Sequence, residues 1–148
     1  TIRPAIEKFR KTGKPFYFLL ATTPTSTSDR ELNSIQLEKE VIRVPAGSEA
    51  RGLIHAVDYL WQMSTTESMG LSAYEAMLSG VPVIASKIPA FEEIIENGKN
   101  GYLVEHDLSD LPVDEIFARK IAGKRAPLVD AKLKEKEEIW QKIFAGQF

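Results

Sequence analysis

Apolar positions fall into two rhythms along this chain. One is helical: Ile2, Ile6 and Phe9 recur on one helix face and Gly13 and Pro15 end the run, which predicts a helix over residues 1–15. The other is continuous. "FYFLLAT", residues 16–22, is an apolar run of strand length, the kind that suits a strand covered on both faces. The two rhythms then alternate. Strands are expected at 41–45 ("VIRVP"), 59–64 ("YLWQMS"), 81–86 ("VPVIAS") and 101–105 ("GYLVE"). Helices are expected at 31–40, at 48–58 with Ser48 as N-cap, at 70–78, at 90–98 closed by Gly98, at 113–123 and at 128–148. "TPTSTSDR", residues 23–30, reads as a polar loop. Short strands separated by helices indicate βαβ units, hence an α/β fold with a Rossmann-like parallel sheet flanked by helices.

Composition narrows the function classes. The 148 residues suffice for one domain with a core, and 43% hydrophobic and 27% charged residues are ordinary for a globular protein. A net charge of -2 argues against nucleic acid as partner, since phosphate-backbone binders are usually basic. There is no cysteine, which excludes disulfide and thiolate chemistry. No apolar run approaches the roughly 20 residues that cross a bilayer, and no signal-peptide pattern opens the chain, so a cytoplasmic location is the expectation. No G-x-G-x-x-G follows an expected strand, which disfavours a dinucleotide-dependent oxidoreductase.

The chemistry concentrates in "STTESMGLSAYEAMLSGVPVIAS", residues 64–86. In parallel α/β sheets ligands sit at the carboxyl ends of the strands, where this loop-to-helix junction falls. A helix start offers free N–H groups and partial positive charge to phosphate. Gly70, with no side chain, lets a ligand approach the backbone, and the Ser68 hydroxyl is placed to cap the helix. Glu67 precedes that start and Glu75 follows it by about one and a half turns, so the carboxylates flank whatever binds there. Carboxylates are strong acceptors for hydroxyl pairs. A diphosphate with a sugar at each end satisfies both demands.

"ESMGLSAYEAMLSGVPVIAS", residues 67–86, resembles the E-x7-E region of the retaining GT-B glycosyltransferases of group 1, and "AFEEIIENGKNGYLV", residues 90–104, is similar to the segment that follows it in that family. The resemblance implies the carboxyl-terminal donor-binding domain, one half of a GT-B fold, over residues 1–148. It implies that Glu75 binds the ribose of a nucleotide-diphosphate sugar (UDP-, GDP- or ADP-linked), that Glu67 faces the transferred sugar as the catalytic residue, and that the amides of Met69, Gly70, Leu71 and Ser72 hold the diphosphate, with Ser68 also among the donor-binding residues. Neither metal nor further cofactor is implied, and no Asp-x-Asp pair is present. The family's domain opens with a strand and a basic motif, whereas this sequence begins within the following helix, so the domain is expected to be incomplete at its amino end. The expected partner is an amino-terminal acceptor domain or companion chain, and membrane association would come only through that half. The competing expectation is a non-catalytic nucleotide-sugar-binding or partner-binding subunit. Pro89 and Ala90 stand where the family has Gly-Gly, and proline lacks an N–H that a ligand could use.

Other residues carry structural expectations. The Leu71–Tyr74–Leu78 stripe is expected in the core, His55 on a helix, His106 on the surface, and Trp61 and Trp140 in packing. Lys87 follows the expected strand at its carboxyl end, where it is a candidate phosphate contact. Leu133, Ile139, Trp140 and Ile143 mark the apolar side of the last helix.

Overall fold

A computed structural model describes residues 2–22, 34–35, 37–47, 52–118, 138 and 141–146. Helix α1 (Ile2–Arg10) buries Ala5, Ile6 and Phe9, the face its spacing marked, and carries Lys8 and Arg10 in its last turn, where cations complement the helix dipole. Strand β1 (Phe18–Thr22) pairs in parallel with β2 (Val41–Pro45), Phe18 opposite Val41. Strands β3 (Leu60–Gln62), β4 (Val83–Ser86) and β5 (Gly101–Val104) form a second parallel sheet with β4 in the middle. Helix α2 (Leu71–Leu78) connects β3 to β4, the short α3 (Pro89–Glu92) follows β4, and α4 (Val113–Ala118) follows β5.

Period-two alternation along the second sheet sorts its side chains onto two faces. Trp61, Ile84, Tyr102 and Val104 join Ala5 and Phe9 of α1 and Ile116 of α4. Leu60, Val83, Ala85 and Leu103 join Ala73 and Ala76 of α2 and Phe91 of α3. Helices therefore cover both faces, and all four β4 residues are buried, as a central parallel strand requires. Burying each large apolar side chain contributes about 1.5–3 kcal/mol before the entropy of ordering is subtracted. Tyr102 serves its face with a polar tip as well: its hydroxyl donates to Glu115 on α4 at 3.3 Å, and burial pushes the phenol up to about 12.

Between the sheets lies a seam. Among the described residues, no strand pairing joins β1 to β3. Aromatic rings span the seam: Phe18 meets Trp61 edge-on at 5.6 Å between centroids, and Phe9 contacts Phe16, Phe18, Trp61 and Phe117. The Trp61 indole N–H is buried there with no partner among the described residues. The expected single sheet is thus found in two parts. An ion pair fastens α1 to the entry of β2: Arg10 donates to Glu40 at 3.1 and 2.6 Å and to Glu38 at 2.7 Å. Beside that guanidinium the Glu40 carboxyl is held below its ordinary range.

Several elements are shorter than the sequence pattern expects. Helix α3 ends at Glu92 rather than reaching residue 98. The Asn100 side chain accepts from the Glu96 amide at 2.8 Å and donates to the Ile94 carbonyl at 2.9 Å, so side-chain bonds replace the helical ladder. Asn97 then bridges to Gly101. At Gly101 a Cβ would stand 2.3 Å from the Val83 carbonyl oxygen, so only glycine lets β5 begin beside β4. Of the helix expected at 48–58, residues 52–53 are helical and 54–56 form a turn closed by Ala56 N–H to the Leu53 carbonyl at 2.9 Å. His55 sits in that turn, not on a helix, while Ser48 lies outside the described residues. Residues 34–35 are helical and 37–40 turn into β2, so the helix expected at 31–40 does not reach its end. Ile143 is buried against Val44 and Leu53, whereas the 23–30 loop, Leu133, Ile139 and Trp140 lie outside the described residues.

Candidate functional site

Because β3, β4 and β5 are parallel, they end at one edge of their sheet. Residues 63–70 leave β3 there and lead into α2. Gly70 occupies the N-cap position in a left-handed conformation, φ 63° and ψ 46°, which glycine adopts without the strain a side chain brings. Its carbonyl accepts from the Ala73 and Tyr74 amides at 2.8 and 3.2 Å, so the Leu71 and Ser72 amides precede the first intrahelical bond. Met69 and Leu71 are 60% and 64% exposed, and Ser68 and Ser72 are exposed too. The helix start is open to solvent on that side.

Gly70 itself is buried, and the reason differs from the expected one. A Cβ at this position would lie 2.7 Å from Cε1 of Phe91 and 3.6 Å from Cγ of Glu67. The missing side chain makes room for an aromatic ring beneath the turn. Glu67 is half-buried, with its stem close to Gly70, and its carboxylate accepts the Ser68 amide at 3.3 Å. Glu75 is exposed on α2, five residues beyond Gly70 and so about 7.5 Å further along the helix axis. No side chain caps the helix, so the expected Ser68 cap is not formed.

The apolar stripe of α2 runs against expectation. Leu71, Tyr74 and Leu78 are 64%, 41% and 88% exposed, while Ala73 and Ala76 are the buried residues. Two alanines bring the helix close to the sheet, which turns the large side chains outward with Glu75. Lys87, just past β4, donates to Glu105 past β5 at 3.4 Å on the exposed edge. Among the described residues, no group of three or more His, Cys, Asp or Glu side chains could hold a metal ion, and no helix is long and apolar enough to cross a membrane. Trp61 packs as expected, and His106 is exposed in a turn.

Two contacts at this edge were not foreseen. The buried Ser86 hydroxyl donates to the Ser64 carbonyl at 2.5 Å, and Phe91 fills the space beneath Gly70. A hydroxyl closing an otherwise apolar strand was the signal for the first. Nothing in the linear pattern marked the second.

The family description "Glycosyl transferases group 1" matches residues 2–119, most of the chain. The chain belongs to the group 1 glycosyl transferases. Among curated relatives, N-acetyl-alpha-D-glucosaminyl L-malate synthase of Bacillus anthracis is 31% identical over 74 residues, covering 50% of this chain and 19% of its own length. The GDP-mannose:cellobiosyl-diphosphopolyprenol alpha-mannosyltransferase of Komagataeibacter xylinus is 33% identical over 67 residues, covering 45% of this chain and 17% of its own. The fold is also that of Anabaena HepE, solved in complex with UDP-glucose: TM-score 0.53 and 26% identity, covering 78% of this chain and 34% of HepE. This group 1 chain therefore spans about a third of that structure and matches about a fifth of the two curated relatives.

Proposed function

We propose that this domain is the cytoplasmic donor-binding half of a retaining, metal-independent glycosyltransferase that takes a nucleotide-diphosphate sugar at the start of α2. The observation that carries the reading is the open helix start at the carboxyl edge of the sheet, with Leu71 and Ser72 amides ahead of the first helical bond, a half-buried Glu67 before it and an exposed Glu75 within α2. The complex of HepE with UDP-glucose adds support from a chain of the same fold.

In this reading the amides at residues 69–72 hold the diphosphate, with Ser68 beside them, and Glu75 accepts the ribose hydroxyls. Departure of the diphosphate is the difficult step. Fixed N–H groups and the helix dipole stabilise the charge that develops on it, at no cost of reorganisation. Glu67, held against the Gly70 turn, orients the donor sugar and stabilises positive charge on its ring. It is not assigned as a covalent nucleophile, and the carboxylate pair differs from the acid/base pair of glycoside hydrolases because Glu75 works far from the bond being broken. The E-x7-E spacing is thus one carboxylate per sugar. The domain is read as incomplete at its amino end, a reading supported by the edges of β1 and β3, which pair with no further strand among the described residues. Its partner is an acceptor-binding half in the same or a companion chain. The exposed Leu71, Tyr74 and Leu78 support a second reading, a non-catalytic partner-binding subunit.

Calorimetric titration with UDP, GDP and ADP tests the donor site. The expected result is binding of at least one of them, weakened about tenfold or more by Glu75→Ala through loss of charge-assisted hydrogen bonds. Unchanged affinity in Glu75→Ala contradicts the ribose assignment. In the intact enzyme Glu67→Ala should leave nucleotide binding in place and abolish transfer, whereas transfer at the wild-type rate removes Glu67 from the chemistry. A partner-binding subunit shows no transfer in either form.

A further inference from the structure

The loop that forms the candidate donor site holds itself together weakly. Its described internal side-chain bonds, Gln62 to Ser64 at 3.4 Å and the Ser68 amide to Glu67 at 3.3 Å, are both long. Two supports reach it from below instead, and both come from the single connection that runs from β4 into α3. At the loop's entry, Ser86 is 1% exposed and donates its hydroxyl to the Ser64 carbonyl at 2.5 Å. At its exit, Phe91 is fully buried with its ring edge against Gly70.

The connection carrying both groups is tied to β5 and to itself by backbone contacts. Ser86 lies opposite Val104 in the sheet, the Lys87 amide donates to the Val104 carbonyl at 2.9 Å, and the Ile88 amide donates to Ser86 at 2.9 Å. The hydroxyl at 86 is not what packing alone would select. Val83, Ile84 and Ala85 are buried and apolar, and a fourth apolar residue would close the strand without burying a polar group that must find a partner. The partner it finds is the loop. The ring at 91 likewise fills the one space that a left-handed Gly70 leaves open.

We infer that Ser86 and Phe91 are positioning residues that fix the two ends of the 64–70 loop, and through it the amides and Glu67 that meet the nucleoside diphosphate. This rests on the donor-site reading and deepens it. A site whose support is loosened keeps its residues and loses their geometry, and small displacements weaken ligands strongly.

The test compares Ser86→Ala, Ser86→Thr and Phe91→Leu with Ile6→Val, a core change under the other sheet, all well below their unfolding midpoints. UDP, GDP and ADP are the probes. Ser86→Ala and Phe91→Leu are expected to weaken binding about tenfold, Ser86→Thr to restore it by keeping the hydroxyl, and Ile6→Val to leave it unchanged. Wild-type affinity in both Ser86→Ala and Phe91→Leu overturns the inference, as does equal weakening in Ile6→Val. If the wild type binds none of the three nucleotides, the donor-site reading fails separately. Hydrogen exchange at the 65–70 amides of the unliganded protein then decides: faster in Ser86→Ala but not in Ser86→Thr upholds positioning, and equal rates refute it.

Discussion

Helices α1 and α2 are similar in length, nine and eight residues, yet they turn opposite kinds of surface to the solvent. Helix α1 buries Ala5, Ile6 and Phe9 and leaves its charges outside. Helix α2 buries Ala73 and Ala76 and leaves Leu71, Tyr74 and Leu78 outside. Helical spacing groups residues onto a face but does not say which face the fold covers. A helix that packs through large residues stands off the sheet and anchors the core. One that packs through alanines lies close, and its start can then sit at the strand ends where a ligand arrives. The first arrangement serves stability, and the second suits the proposed donor site.

The largest expected effect lies on α1. Phe9 touches four other aromatic rings across the seam between the sheets, so Phe9→Ala should cost about 3–5 kcal/mol in urea denaturation. A loss below about 1 kcal/mol would mean that the seam is not held by these rings, and the contrast with α2 would lose its structural half. At the start of α2, Gly70→Ala should cost about 1–2 kcal/mol for the left-handed conformation alone. The methyl also meets the Phe91 ring at 2.7 Å, so Phe91→Leu in the same chain should recover part of the loss. An additive double variant would show that Gly70 is needed for its φ and not for the ring beneath it.

The division between legible and illegible follows from the range of each interaction. The parallel α/β class, α1, the five strands among the described residues and the start of α2 near Gly70 were readable because they rest on local periodicity and turn chemistry. The Glu67–Glu75 spacing lies within one stretch of chain, with Glu67 before Gly70 and Glu75 within α2. The outward face of α2 was not, because burial depends on what packs against a helix and only the compact Ala73 and Ala76 hinted at it. The seam between β1 and β3, the Ser86 hydroxyl on Ser64 and the ring of Phe91 under Gly70 are contacts across 20 residues or more, which no window along the sequence contains. The break of α3 was obscured for another reason: Asn100 competes for its backbone from beyond its end.

A smaller effect separates the helices by pH. Helix α1 is tied to the fold through Arg10 and Glu40, and the Glu40 carboxyl is held below its ordinary value of 4.5 by the guanidinium hydrogen bond. A depressed carboxylate contributes stability that is fully present above the unfolded value and is lost as pH falls through the folded one. Stability should therefore decline below about pH 4.5 more steeply in wild type than in Glu40→Gln. Parallel acid limbs in chemical denaturation would show that the pair contributes nothing to holding α1.

The smallest expected effect is the sharpest on the comparison, because it asks whether the outward face of α2 matters to folding at all. Leu78 is 88% exposed, so replacing it removes almost no buried area. Leu78→Lys should change the unfolding free energy by no more than about 0.5 kcal/mol, whereas the same residue in a core would cost several times that. The lysine also adds a cation to the last turn of the helix, where the dipole favours it slightly. A near-zero change by urea denaturation leaves the stripe free for a role outside the fold of this domain. A loss above about 2 kcal/mol would place Leu78 in the core after all, and α2 would then be a structural helix of the same kind as α1.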